Sequence, residues 1–320
     1  MATSAEQSAT LEHRLVRIGT NVVGGTRLPV LAGPRLGADL VHLSLRRRHG
    51  VPGAAAEVER ARDLTVAPLL VEPFSADDLP AIRQYADGVV VGGAWMQDFR
   101  LLAAVGQLGL PVVLHRGHHC TVDEWLSSVE YLRAERNDDV VLCESGSRRH
   151  VGGRTTLDLA LVREVRERSG LPVVVDVGDT PWLAASAVAA GADGVWLAEN
   201  AAPSDVQTAL EATTTLTPVV RQVNPRSLAG CREAIDRVDA ALASLLEYRV
   251  TLATQVQRHK PVSGHAGRDK QREAQIVRAM SNRAPSIARD QLARIMDAVI
   301  TGGLDAADAA IGTEPPLWRL

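Results

Sequence analysis

The sequence predicts an α/β barrel followed by an all-α bundle. Three observations carry this reading: short runs of β-branched and aliphatic residues recur up to about residue 210, helical patterns separate them, and after residue 221 the period is helical alone. A chain of 320 residues is long for one core and comfortable for two. The expected divisions are a barrel domain over 1–221, a linker over 222–230, a helical domain over 231–311 and a tail over 312–320.

The strand-like runs are LPVLAG (28–33), DLVHLSL (39–45), VAPLLVEP (66–73), GVVVGG (88–93), PVVLHRG (111–117), VVLCESG (140–146), PVVVDVGD (172–179) and GVWLAE (194–199). Continuous apolar runs of this length mark strands buried on both faces, as in a parallel sheet. Between them lie amphipathic stretches such as DDLPAIRQYA, TVDEWLSSVEYLRAE and LVREVRERSG. Eight such units suggest a (β/α)8 barrel. One crossover is too short. Only five residues separate Gly33 from Asp39, where a parallel crossover takes roughly 10 to 12 or more. The first crossover helix is therefore expected to be missing, and the barrel damaged or rearranged there.

QVNPRSLAG (222–230) reads as a turn-rich linker, and no Pro or Gly interrupts Cys231 to Lys260. One helix of about 30 residues would reach roughly 45 Å, too long for a small domain to cover alone. Pro261 and Gly264 end it, Asp269 is placed to cap a second helix over DKQREAQIVRAM, and Pro285-Ser286 opens a third through LARIMDAVI. Such unequal helices bury their apolar faces best against a second copy, so an intertwined homodimer or a dimer of dimers is expected.

Within the first helix Ile235, Val238, Leu242, Leu245, Arg249, Leu252 and Val256 step by threes and fours, which is a coiled-coil seam. Arginine is out of place in it. Desolvating a guanidinium forfeits several kcal/mol unless a counterion replaces the water, so Arg249 calls for an anion. Lys260 lies eleven residues on, about 20° out of register, and shares its face. Arg232 lies seventeen residues before Arg249, about 100° round the helix, and would reach such a site only from a partner copy. Asp269, Arg272 and Glu273 form a further i, i+3, i+4 cluster. These four cations and two carboxylates suit a dicarboxylate and include no nucleophile or obvious proton shuttle. The bland alternative is a bundle with solvated salt bridges.

A net charge of −3 leaves no basic footprint for nucleic acid or anionic lipid. The first twenty residues lack an apolar h-region, and no run approaches the roughly 18 apolar residues that would cross a bilayer. A soluble, cytoplasmic protein is expected. Cys120, Cys143 and Cys231 lack CxxC spacing and are expected to be reduced.

CREAIDRVDAALASLLEYRVTLATQVQRHK followed by GRDKQRE resembles the all-helical chorismate mutase family. Arg232, Arg249, Lys260, Asp269, Arg272 and Glu273 match its six polar positions over roughly 85 residues. The resemblance implies that chorismate rearranges to prephenate by a pericyclic shift, with no cofactor. Arg249, and Arg232 from the other subunit, would clamp the two carboxylates, Lys260 would donate to the ether oxygen, and Glu273 with the Asp269 region would orient the ring hydroxyl. One departure stands out. The family carries a Gln or Glu late in its third helix as a second donor to the ether oxygen, and an ungapped alignment puts Ala307 there, with Gly302 and Gly303 a turn before. Losing such a donor typically costs about 100 to 1,000 fold in rate. Weak activity, a relative of chorismate such as its 4-amino-4-deoxy analogue, or a lyase reaction on isochorismate are the alternatives.

GGAWMQDFRLLAAVGQLGLPVVLHRG, TVDEWLSSVEYLRAERNDDVVLCESGSR, RTTLDLALV, LPVVVDVGD and GADGVWLAEN resemble the later strands of type I beta DAHP synthase. That family condenses phosphoenolpyruvate with erythrose 4-phosphate on a divalent metal. Its cationic phosphoenolpyruvate ligands are replaced here by Ala94, His115 and Ser145, and its metal ligands by Arg35, Asp179 and Ala198. Arg116, Glu144, Arg154 and Asp176 persist. The resemblance therefore implies the fold without the condensation, leaving the barrel as scaffold, dimer support or effector site. HRGHHC (115–120) offers His115, His118, His119 and Cys120 as possible zinc ligands, yet adjacent residues of one loop rarely close a tetrahedron. No metal is expected, and Gly92-Gly93 reads as a tight strand end. A competing reading makes the whole chain a regulatory module that binds an aromatic-pathway metabolite or enzyme, and a third keeps the condensation alive.

Overall fold

The computed structural model describes residues 14–33, 37–47, 53–148, 155–221, 223–260, 262 and 264–313. Arg35, Arg154 and residues 314–320 of the expected tail lie outside them. The chain separates into two compact units, 1–238 and 239–320.

In the first unit all eight expected runs are strands: β3 (Val30–Ala32), β4 (Leu40–Ser44), β5 (Leu69–Glu72), β6 (Gly88–Val91), β7 (Val112–His115), β8 (Val140–Glu144), β11 (Val173–Gly178) and β12 (Gly194–Leu197). They close a barrel in the order β3-β4-β5-β6-β7-β8-β11-β12, with β12 returning to β3, and every pair is parallel. Helices α1 (Ala54–Asp63), α2 (Leu79–Tyr85), α3 (Phe99–Gly106), α4 (Val122–Ala134), α5 (Leu159–Ser169) and α6 (Ala184–Ala190) supply the crossovers, and α7 (Pro203–Val220) follows the last strand. A short antiparallel pair, β9 (Ser147–Arg148) with β10 (Thr155–Thr156), follows β8.

No helix lies between β3 and β4 among the described residues, but the expected damage to the barrel does not follow. Strand β3 has only three residues, about 10 Å at 3.3 Å each. The five-residue link from Gly33 to Asp39, six Cα–Cα steps, can span up to about 20 Å, enough to return along so short a strand. Asp39 locks the landing: its N–H donates to Val30 O at 3.0 Å, and its carboxylate accepts from Val30 N at 2.9 Å.

An element absent from the sequence reading closes the foot of the barrel. Strands β1 (Val16–Ile18) and β2 (Asn21–Val23) form a hairpin whose Val16, Ile18 and Val23 pack with the inward residues Leu31, Leu40, Leu70, Val90, Val113 and Trp196. A larger apolar layer joins the outer strand faces to the helices.

The bundle helices are α8 (Leu228–His259), α9 (Lys270–Ser281) and α10 (Arg289–Thr313). The first two follow the sequence expectation closely, and α10 begins at Arg289 rather than at the Pro285-Ser286 signal. Asp269 caps α9, its carboxylate accepting from Arg272 N at 3.0 Å. Val277, Leu292 and Met296 form the small core between α9 and α10. No helix among the described residues is long and apolar enough to cross a membrane.

Candidate active site

The seam of α8 is largely uncovered in the single chain. Exposure of its apolar members runs from 41% at Leu252 to 58% at Ile235. Arg249 differs from them: it is half-buried and lines a cavity of ≈ 290 Å³ with Lys260, Arg268, Asp269, Arg272 and Glu273. That volume sits at the small end of the roughly 300 to 1,000 Å³ usual for small-molecule sites.

Arg249 Nη1 donates to Val299 O at 3.3 Å, and no carboxylate among the described residues pairs with it. Its guanidinium lies against α10 because residue 303 has no side chain. A Cβ there would come within 3.1 Å of Nη1. Lys260 follows the last residue of α8 and donates one Nζ proton to Gly267 O at 2.8 Å, which leaves two for a ligand. The loop that carries this carbonyl depends on glycine: Gly264 has φ +65°, and its N–H donates to Gln257 Oε1 at 2.8 Å.

Glu273 is clamped by a residue the sequence reading passed over. Arg268 Nε donates to Glu273 Oε1 at 2.7 Å and Nη2 to Oε2 at 3.0 Å, a bidentate pair, and Nη2 also reaches Asp297 Oδ1 at 2.6 Å. The Arg268 hydrogen bond is the largest cause holding the Glu273 carboxyl below its ordinary range, and the same bond raises the Arg268 guanidinium. Arg268 is thus neutralised internally, and Asp269 is spent as a helix cap. Arg249, Lys260 and Arg272 have no carboxylate partner among the described residues, so the cavity carries surplus positive charge suited to a dianion.

Five of the six matched residues therefore meet in one cavity. Arg232 does not: it is exposed and is not among the lining residues. Ala307 is fully buried and does not line the cavity either. Helix α10 presents Ile300 and Leu304 instead, so no donor enters from that side.

At the carboxyl end of the barrel strands Arg116 and Glu144 consume one another. Buried Arg116 donates Nη2 to Glu144 Oε1 at 2.8 Å and to Ser147 Oγ at 3.0 Å, and Nη1 to Cys120 O at 3.2 Å. His115 is buried with its ring edge-on to Trp196 at 4.9 Å, and His42 meets the same indole at 4.7 Å. Burial, then the neighbouring His118, lowers the His115 pKa to about 4, so a neutral imidazole stands at that strand end. His118 Nδ1 is 2.9 Å from Gly146 O. The described residues do not fit the divalent metal implied by the barrel's resemblance: Ala198 offers no donor, and no cluster of three or more His, Cys, Asp or Glu is placed to hold an ion. Cys120, Cys143 and Cys231 are free thiols.

Residues 53–224 match the DAHP synthetase I family. The chain belongs to that family. Behind this DAHP synthetase I domain, residues 231–305 match the chorismate mutase type II family, so the chain is a fusion of the two. A curated relative, the phospho-2-dehydro-3-deoxyheptonate aldolase of Thermotoga maritima, is 36% identical over 135 residues, which are 40% of this chain and 40% of that protein. The chain thus spans well under two thirds of the curated relative it matches. Among solved structures, a truncated 3-deoxy-D-arabino-heptulosonate 7-phosphate synthase from T. maritima aligns with a TM-score of 0.58 and 25% identity, covering 64% of this chain and 94% of that one. A crystal structure of the T. maritima phospho-2-dehydro-3-deoxyheptonate aldolase gives 0.58 and 26%, covering 67% and 76%.

Proposed function

We propose that the helical domain is a dimeric chorismate mutase and that the DAHP synthetase-like barrel no longer condenses phosphoenolpyruvate. The observation that carries the first part is Arg249: a seam arginine without a carboxylate partner among the described residues, held against Val299 and Gly303 on the wall of a small cationic cavity. Chorismate offers two carboxylates and reacts by breaking one C–O bond while one C–C bond forms. The protein's task is then to hold the compact conformer and to stabilise charge developing on the ether oxygen. Arg249 and Arg272 supply charge for the carboxylates, Lys260 supplies a donor for the ether oxygen, and Glu273, oriented by Arg268, is placed to accept from the ring hydroxyl. Arg232 would complete the carboxylate clamp from a second copy, and the uncovered seam of α8 supports such pairing.

The second part rests on the barrel's strand ends. His115 is neutral where the family has a cation, Ala94, Ser145 and Ala198 offer neither charge nor metal ligand, and Arg116 is bound to Glu144. The barrel would act as scaffold, dimer support or effector site within aromatic metabolism. The apolar Ile300 and Leu304 wall favours a second reading, in which the cavity binds a chorismate relative or only senses one. Product analysis separates these: wild-type protein incubated with chorismate should yield prephenate. Pyruvate release from isochorismate would indicate a lyase, and no conversion of either would indicate a binding module. Phosphoenolpyruvate with erythrose 4-phosphate and divalent metal should remain unconsumed.

A further inference from the structure

Gln257 is a polar side chain only 6% exposed, on the wall of the mutase cavity. It precedes Lys260 by three residues, a spacing that puts two side chains on one helix face. Its orientation is set by the loop. Gly264 N–H donates to Gln257 Oε1 at 2.8 Å, and an N–H can be met only by the carbonyl end of a carboxamide, so Nε2 and its two protons turn away from the loop. No acceptor among the described residues takes those protons. Both protons are therefore open to a ligand oxygen in the cavity that Gln257 lines. Helix α10 meanwhile contributes Ile300 and Leu304, neither of which can donate.

We infer that Gln257 Nε2 is a catalytic donor to the ether oxygen, working beside Lys260 Nζ from the first helix of the bundle. This assignment rests on the mutase reading above. The amide stays neutral throughout and transfers no proton. It strengthens its hydrogen bond as the breaking C–O bond moves negative charge onto the oxygen. The charged groups that share the cavity are Arg249 and Lys260 by α8 and Arg268, Asp269, Arg272 and Glu273 at the start of α9, while Asp308 of α10 lies beside Gly264.

The test uses the full chain with Gln257→Glu and Gln257→Met. Glutamate keeps an oxygen for Gly264 N–H but donates only when protonated. Its kcat/KM on chorismate should fall about 100 to 1,000 fold at pH 7.5. It should then recover by up to about tenfold for each pH unit lowered toward 5.5, a trend the wild type lacks. Gln257→Met should be slow at every pH. Should Gln257→Glu melt early, Gln257→Met decides: a comparable loss with unchanged melting supports the role, and a wild-type rate overturns it. A merely structural glutamine predicts that Gln257→Glu follows the wild type at all pH values, which would also overturn it. If the wild type converts chorismate and Arg249→Ala does not, such a result removes Gln257 alone; if the wild type itself is inert, the mutase reading fails and this assignment with it.

Discussion

Replacing His115 by leucine should make the barrel less sensitive to acid. The folded imidazole has a pKa of about 4 against an ordinary value of 6.5, so between those values the unfolded chain binds a proton that the folded chain refuses. Stability therefore rises with pH through this window, is complete above about 6.5, and is lost as pH falls toward 4. At 1.36 kcal/mol per pKa unit the full loss is about 3 kcal/mol, and roughly 2 to 3 kcal/mol of it falls between pH 7.5 and 4.5. Urea unfolding followed by tryptophan fluorescence is a suitable assay, because Trp125 and Trp196 are both buried in the barrel. The wild-type curve should lose that much more stability than His115→Leu across the interval. Parallel curves would refute the neutral, buried histidine and reopen the case for a cation at this strand end.

Two neighbouring glycines of α10 should separate stability from function. Gly302 has open space around its missing Cβ, so Gly302→Ala should raise stability by about 1 kcal/mol through helix propensity and leave kinetics unchanged. Gly303→Ala adds a methyl group 3.1 Å from Arg249 Nη1, and displacing the clamp should lower kcat/KM about tenfold; thermal melts and chorismate kinetics check both. Arg232→Ala and Arg249→Ala should each be nearly inactive alone, yet dissociated and reassociated together they should regain about a quarter of wild-type activity, since half the dimers then hold one intact site. No recovery would place Arg232 outside the partner's cavity.

The parallel strands were legible because burial on both faces writes itself as an unbroken apolar run; all five residues of Val140–Glu144 are buried. The hairpin β1–β2 was not, since three-residue strands are too short to display a period. The long helix and its capped successor were plain, and the spacing of Arg249, Lys260, Asp269, Arg272 and Glu273 located the cavity. Arg268 and Gln257 escaped for a common reason. A charged or amide side chain on or beside a helix is ordinarily solvated, and only the folded loop at Gly264–Gly267 turns one into a clamp for Glu273 and buries the other. Ala307 was placed by counting along the sequence, whereas the cavity wall is set by helix rotation, which brings Ile300 and Leu304 round to it.

The proposed catalysis turns on whether the guanidinium at position 249 grips a dianion. The most direct measurement is the loss of chorismate ultraviolet absorbance catalysed by wild type and by Arg249→Ala, with folding of the variant checked by circular dichroism. Truncating one partner of a buried charge pair typically costs 2 to 5 kcal/mol, so the variant should be slower by about 30 fold or more in kcat/KM. A variant that keeps the wild-type rate would contradict the account.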